Sequence, residues 1–240
     1  MVFSSSFWAC GDCYFNQKDS PPCKLCSLSS AVALTRTMTD HKRRMQASYD
    51  RIAVRYARTN ARMPAMVVKS AMQFWRLLGP SAFVLDLGSG HGRDLAWFRM
   101  RGMRAIGVDL SPGMLHQAQD AVDAPLSVMD MRRLGLAEGV FDGVWCNAAL
   151  LHLPKDEVSN ALSEAQRVLR HGGLFFASFK SGYGEGWEPY SYGKPVERFF
   201  AFYGRAELSN LIMRAGFLIL NEASSVGIGQ SWLHILARSH

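Results

Sequence analysis

The residues best suited to do chemistry in this chain are a short run of glycines with carboxylates before and after it. Asp86-Leu87-Gly88-Ser89-Gly90-His91-Gly92 sets three alternate glycines two places after an acid, and Asp109 stands 21 residues beyond Gly88. Glycine reaches positive φ and lets a ligand come close to the backbone. A carboxylate about 20 residues after the first glycine is placed to grip ribose hydroxyls. A dinucleotide fingerprint needs its third glycine where Arg93 stands. Asp86 would also sit badly beside a pyrophosphate. A cofactor bearing an ammonium group and a sulfonium charge fits both features better.

The elements that must position these groups follow from the flanking pattern. Phe83 to Leu85 read as a buried strand, with Arg93 to about Arg101 as the helix after the turn, stopped by Gly102. Arg104 to Asp109 read as a second strand. Ser111 and Pro112 suit the N-cap and first position of a helix running to about Ala121. Leu126 to Met129 make a third strand ending at Asp130-Met131, and Phe141 to Asn147 a fourth. Pro154 to Leu169 is amphipathic and reads as a helix ended by Gly172, with Leu174 to Phe179 as the fifth strand. Ala206 to Ala215 reads as a last helix. Phe217 to Ala223 and Ser231 to Arg238 read as two closing strands. Upstream, Tyr49, Ile52, Ala53 and Tyr56 share one face at helical spacing. Met66 to Leu78 is a further helix.

Asp-x-Gly-x-Gly-x-Gly, Asp109, Asp130 and the loop after the fourth strand resemble, in order and spacing, the motifs of the class I S-adenosylmethionine-dependent methyltransferases. The resemblance runs from about Tyr49 to the end. It implies an α/β fold, a Rossmann-like doubly wound seven-stranded sheet of order 3-2-1-4-5-7-6 with the last strand antiparallel and an N-terminal helical lid over residues 40–78. It implies S-adenosyl-L-methionine as cofactor. Asp86, Gly88, Ser89 and Gly90 would cradle its methionine end, Asp109 and Leu110 its ribose, and Asp130 and Met131 its adenine, with Asn147 at the reacting centre. Tyr-Asp-x-x-Ala-x-x-Tyr resembles a lid segment of the family, so Tyr49 and Tyr56 would border the methyl donor, where aromatic faces suit a cation; a packing stripe is the plainer reading. His152 is the best-placed candidate general base, with an ordinary pKa near ~6.5, against a purely packing role. The polar, aromatic stretch after the fifth strand offers Lys180, Glu185, Trp187, Arg198 and Tyr203 for an acceptor.

Residues 1–37 are different in kind. Cys10, Cys13, Cys23 and Cys26 form two C-x-x-C pairs that could hold a structural zinc; an unstructured tail and a redox dithiol are the competing readings. The methyltransferase domain is then 38–240. A net charge of +7 gathers in Lys42 to Arg76 against a single carboxylate, Asp50. That run is either a solvated face or a footprint for RNA, so an RNA methyltransferase stands as the alternative to a small-molecule one. A nicotinamide-dependent oxidoreductase is a third reading, disfavoured by the displaced glycine. No apolar run reaches about 18 residues and no basic-apolar leader opens the chain. The expectation is a cytoplasmic enzyme without a membrane partner.

Overall fold

In the computed structural model, residues 40–227 and 229–240 are described, and Asp40–His240 form one compact unit. Cys10, Cys13, Cys23 and Cys26 lie outside the described residues, as does the expected boundary at residue 37. Among the described residues, no group of three or more His, Cys, Asp or Glu could hold a metal ion. None of the described helices is long and apolar enough to cross a membrane.

Two helices open the described chain, α1 (Asp40–Thr59) and α2 (Ala65–Leu78). Then β1 (Phe83–Leu87), α3 (Arg93–Arg99), β2 (Arg104–Asp109), α4 (Pro112–Ala121) and β3 (Leu126–Val128) alternate. β4 (Phe141–Asn147) leads through a 3-10 turn (Leu150–His152) to α5 (Val158–Val168) and β5 (Leu169–Lys180). A small hairpin, β6 (Glu185–Glu188) and β7 (Arg198–Ala201), precedes α6 (Arg205–Arg214), β8 (Phe217–Gly227) and β9 (Gln230–Ser239). The main sheet has the order β3-β2-β1-β4-β5-β9-β8. With the hairpin set aside this is 3-2-1-4-5-7-6, and the last strand, β9, runs antiparallel to both β5 and β8.

Both faces of the sheet are covered, which is why the central strands are apolar throughout. Val67, Ala71 and Phe74 of α2 and Leu95 and Phe98 of α3 pack with Val84, Trp145 and Phe176 on one face. Val158, Ala161, Leu162 and Ala165 of α5 and Leu208 and Ile212 of α6 pack with Leu85, Val144 and Phe175 on the other. The lid expected over residues 40–78 therefore divides. α2 belongs to a helical layer, and α1 is the element that faces the carboxyl ends of the strands. Part of the basic run along α1 is matched within the chain: Lys42 pairs with Asp130, and Arg44 pairs with Asp40 and Glu197.

Two expected boundaries are corrected. α5 begins at Val158, because Pro154 to Glu157 close a turn in which the Glu157 N–H donates to the Pro154 carbonyl at 2.9 Å. Gly172 does not end that helix. Leu169 already pairs with Phe141, and the next matched pair is Gly143 with Leu174. Arg170 to Gly173 are thus a bulge inside β5, and Gly172 takes the φ of 74° that lets the strand rejoin its register.

Candidate functional site

β1 is bordered by β2 on one side and β4 on the other, both parallel to it. The connections leave the sheet in opposite directions there, and the crevice opens at the strands' carboxyl ends. Gly88 and Gly90 make the turn at φ of 76° and 55°. A side chain at Gly88 would stand 2.3 Å from the Ala149 Cβ, so the strand-4 loop packs directly on the turn. Val108 accepts hydrogen bonds from the N–H groups of Gly88 (2.8 Å) and Ser89 (3.0 Å). Asp109 accepts from Gly90 N–H and Ser111 N–H, both at 2.8 Å. Burial raises the Asp109 carboxyl above its ordinary range, against those donors. Ser111 caps α4, its hydroxyl accepting from the Met114 N–H.

Two cavities meet at this turn. The first, about 830 Å³ counting its opening to solvent, is lined by Gly88, Gly90, Asp109, Leu110, Met129, Asp130, Met131, Asn147 and His152, with Tyr49 and Tyr56 over it. Asp130 is braced rather than free. Arg132 donates to both its oxygens, at 2.9 Å and 2.7 Å, and Lys42 lies 3.1 Å away. Burial acts to raise the Asp130 carboxyl, but those donors win and hold it down at about 2. Arg132 is itself bonded to Glu157.

The second cavity is larger, about 1610 Å³ on the same basis, and shares Tyr49, Tyr56, Gly88, Gly90, Asn147, Ala148 and His152 with the first. Its wall includes Asp86, Ser89 and His91, whose Oδ2, Oγ and Nε2 atoms are buried and have no hydrogen-bond partner among the described residues. Burial, then repulsion from Asp94, raises the Asp86 carboxyl well above its ordinary value. Asn147 is locked: it donates to Asp94 at 2.8 Å and accepts from the Ser178 hydroxyl at 2.7 Å. The same Asp94 oxygen accepts from the Trp145 indole at 2.9 Å.

His152 sits where the two cavities join, and its bonds assign its tautomer. Nδ1 lies 2.7 Å from the Phe199 carbonyl, which can only accept, so Nδ1 carries the proton. Nε2 then accepts from the Tyr49 hydroxyl at 2.6 Å. Arg198 donates to that hydroxyl at 3.4 Å. Burial pulls the imidazole down to about 3 and pushes the Tyr49 phenol up to about 12. Both ring nitrogens of this buried, neutral histidine are bonded, an arrangement that positions the Tyr49 hydroxyl.

The five acceptor candidates separate. Lys180 and Arg198 line the second cavity. Trp187 does not reach the lining; it packs against His41 and Phe199 with the Arg44 guanidinium 3.8 Å over its ring. Glu185 accepts from the Lys155 N–H at 2.8 Å. Tyr203 is buried against Phe179, with the Lys155 ammonium 4.7 Å from its ring. The sequence reading missed Tyr192, Trp232 and His234, which line the second cavity. They lie in a loop and a terminal hairpin that no motif marks.

The comparisons with known proteins bear on the same region. The family model described as "Methyltransferase domain" matches residues 85–177. The malonyl-[acyl-carrier protein] O-methyltransferase of Erwinia billingiae is 31% identical over 179 residues, covering 65% of this chain and 70% of that protein. The chain belongs to the class I S-adenosylmethionine-dependent methyltransferases. The sarcosine/dimethylglycine N-methyltransferase of Halorhodospira halochloris is 34% identical over 108 residues, covering 42% of this chain. The chain spans 38% of that methyltransferase and 52% of a malonyl-[acyl-carrier protein] O-methyltransferase of Laribacter hongkongensis. Among solved structures, the Burkholderia thailandensis 1,6-didemethyltoxoflavin-N1-methyltransferase, with bound 1,6-didemethyltoxoflavin and S-adenosylhomocysteine, superposes with a TM-score of 0.66 at 24% identity. The match covers 92% of this methyltransferase chain and 93% of that one, a likeness of fold. Family membership displaces the oxidoreductase alternative.

Proposed function

We propose that this protein transfers a methyl group from S-adenosylmethionine to an N, O or S nucleophile of a small-molecule acceptor. The observation that carries the reading is the pair of cavities joined at Tyr49, Tyr56, Gly88, Gly90, Asn147 and His152. One has a nucleoside's partners and the other has room for a second molecule. The residues fit the cofactor: Asp109, at the end of β2, would hold the ribose, Asp130 and Met131 would stand beside the adenine, and Asp86, with its unpartnered oxygen, would lie behind the glycine turn at the methionine end. When bound, S-adenosylmethionine supplies a methyl already activated on a sulfonium.

The chain's task is then alignment and exclusion of water. Tyr49 and Tyr56 present aromatic faces at the junction, 5.8 Å apart and edge to face, suited to a cation. His152 fixes the Tyr49 hydroxyl. Asn147, held by Asp94 and Ser178, keeps the floor rigid. No base is needed where the acceptor's lone pair is already free. The relatives' named acceptors differ in size and in the atom methylated, so the fold alone does not choose among them. The enclosing aromatic walls favour a small molecule over RNA, and no relative named above acts on RNA by its name.

Calorimetric titration with S-adenosylmethionine and S-adenosylhomocysteine tests the reading. Both should bind the wild type, and Asp109→Ala should weaken both by about ten-fold or more, the loss expected from removing charge-assisted hydrogen bonds. Absence of binding by the wild type would overturn it.

A further inference from the structure

One guanidinium in the wall of the second cavity has no carboxylate partner among the described residues. Lys180 and Arg198 both stand over the ring of Phe200, the Lys180 ammonium 3.3 Å and the Arg198 guanidinium carbon 4.9 Å from its centroid. Lys180 is neutralised by Glu188 at 3.0 Å. The other guanidinium on this wall, Arg93, is neutralised by Asp94 at 2.6 Å. Arg198 has no carboxylate. Its contacts are the Ser191 hydroxyl, which accepts from Nε at 2.8 Å, the long bond to the Tyr49 hydroxyl, and the Tyr192 ring at 5.1 Å. Among the described residues, it is in no ion pair.

A half-buried guanidinium without a counter-charge is costly unless a ligand supplies one. Its planar fork suits the two oxygens of a carboxylate. The surrounding rings, Tyr49, Tyr192 and Phe200, would contact a flat or apolar body attached to that group.

Resting on the methyl-transfer reading above, we propose that the acceptor is a carboxylate with an aromatic or apolar body, anchored through its carboxylate on Arg198 with Lys180 as the flanking cation. The carboxylate enters opposite Phe200 and leaves the acceptor's body directed along Tyr49 toward the cavity junction. Arg198 is thereby the residue that selects acceptors by charge. Lys180 contributes less, because Glu188 already holds it.

Saturation-transfer NMR on protein loaded with S-adenosylhomocysteine tests this with benzoate and phenylacetate against benzamide and phenylacetamide, at millimolar concentration. The carboxylates should bind and the amides should bind about ten-fold or more weakly, as expected when a charge-assisted pair is replaced by a neutral contact. Arg198→Met should abolish the preference, Arg198→Lys should restore part of it, and Lys180→Met should reduce it less, with thermal melting confirming that each variant is folded. Equal binding of acids and amides by the wild type, no binding by either acid, or a preference surviving in Arg198→Met overturns the proposal. Failure to load with S-adenosylhomocysteine in the first step would instead overturn the methyl-transfer reading.

Discussion

His152 has both ring nitrogens committed, one as donor to Phe199 and one as acceptor from Tyr49. A proton added to Nε2 removes the lone pair that the Tyr49 hydroxyl uses. This gives a stability prediction with a definite sign. The folded-state value lies at about 3, below the ordinary 6.5. The unfolded chain therefore binds a proton that the folded chain does not between those values. The stabilisation is full above pH 6.5 and is lost as pH falls toward 3, with a slope of up to about 1.4 kcal/mol per pH unit for one proton. Asp86 and Asp109, raised by burial, act with the opposite sign in the acid part of that window. The measurement is therefore the difference in melting free energy between wild type and His152→Gln across pH 5 to 8. That difference should shrink as pH falls, and a flat difference would show that His152 titrates normally. The same variant should lower methyl transfer while leaving the shape of the pH–rate profile unchanged, because the ring positions Tyr49 and passes no proton. The sequence placed His152 at the right spot. It could not show the Phe199 carbonyl 47 residues away that fixes the tautomer.

Among the elements, α1 decides whether the first cavity has a roof. Its latch is Asp50, which accepts from the Ser111 hydroxyl at 2.5 Å and the Gly113 N–H at 2.8 Å, at the start of α4. Arg44 to Glu197 and His41 to the His152 carbonyl tie the other end of α1. Gly113 leaves the latch its space, since an added Cβ would stand 3.0 Å from the Asp50 Cα and Oδ1. Gly113→Ala should lift α1 at an overpacking cost of about 1–3 kcal/mol. Asp50→Ala should remove charge-assisted bonds of about 1.5–3 kcal/mol. Each should weaken S-adenosylhomocysteine by about ten-fold or more in calorimetry while the melting curve stays cooperative; unchanged affinity in both would show that α1 is no part of the site. The helical period of Tyr49, Ile52, Ala53 and Tyr56 made α1 legible, and β2 and β4 fall on their expected bounds. The β5 bulge was not legible, because Arg170-His171-Gly172-Gly173 carries the same signal as a helix stop. The β6–β7 hairpin was not legible either: its strands are four residues each and its glycines read as loop.

At the scale of the whole molecule, the proposed donor and acceptor sides are encoded differently. The donor side is built at the carboxyl ends of β1, β2, β3 and β4: the glycine turn after Leu87, Asp109 and Asn147 at the ends of β2 and β4, and Asp130 just beyond β3. Order and spacing along the chain were enough to propose it. The acceptor side draws Tyr49 and Tyr56 from α1, Lys180 from the end of β5, Tyr192 and Arg198 from the hairpin, and Trp232 and His234 from β9. These residues are far apart along the chain, and no period links them. The same division predicts where the protein is rigid. β1, β4 and Leu174–Phe179 of β5 are buried on both faces and should exchange amide hydrogens only on global unfolding, whereas α1, with one largely exposed face, and the β6–β7 hairpin, in which no residue of β6 is fully buried, should open locally. S-adenosylhomocysteine at a hundred times its dissociation constant should add about 2.7 kcal/mol of stability, and raise the melting temperature by about 5–10 °C in a domain of this size. In hydrogen-exchange mass spectrometry the added protection should concentrate in α1, the turn from Gly88 to Gly92 and the hairpin. The outcome that fails this account is protection spread evenly over the sheet with α1 unchanged, since donor binding would then stabilise the fold without engaging the roof on which both cavities depend.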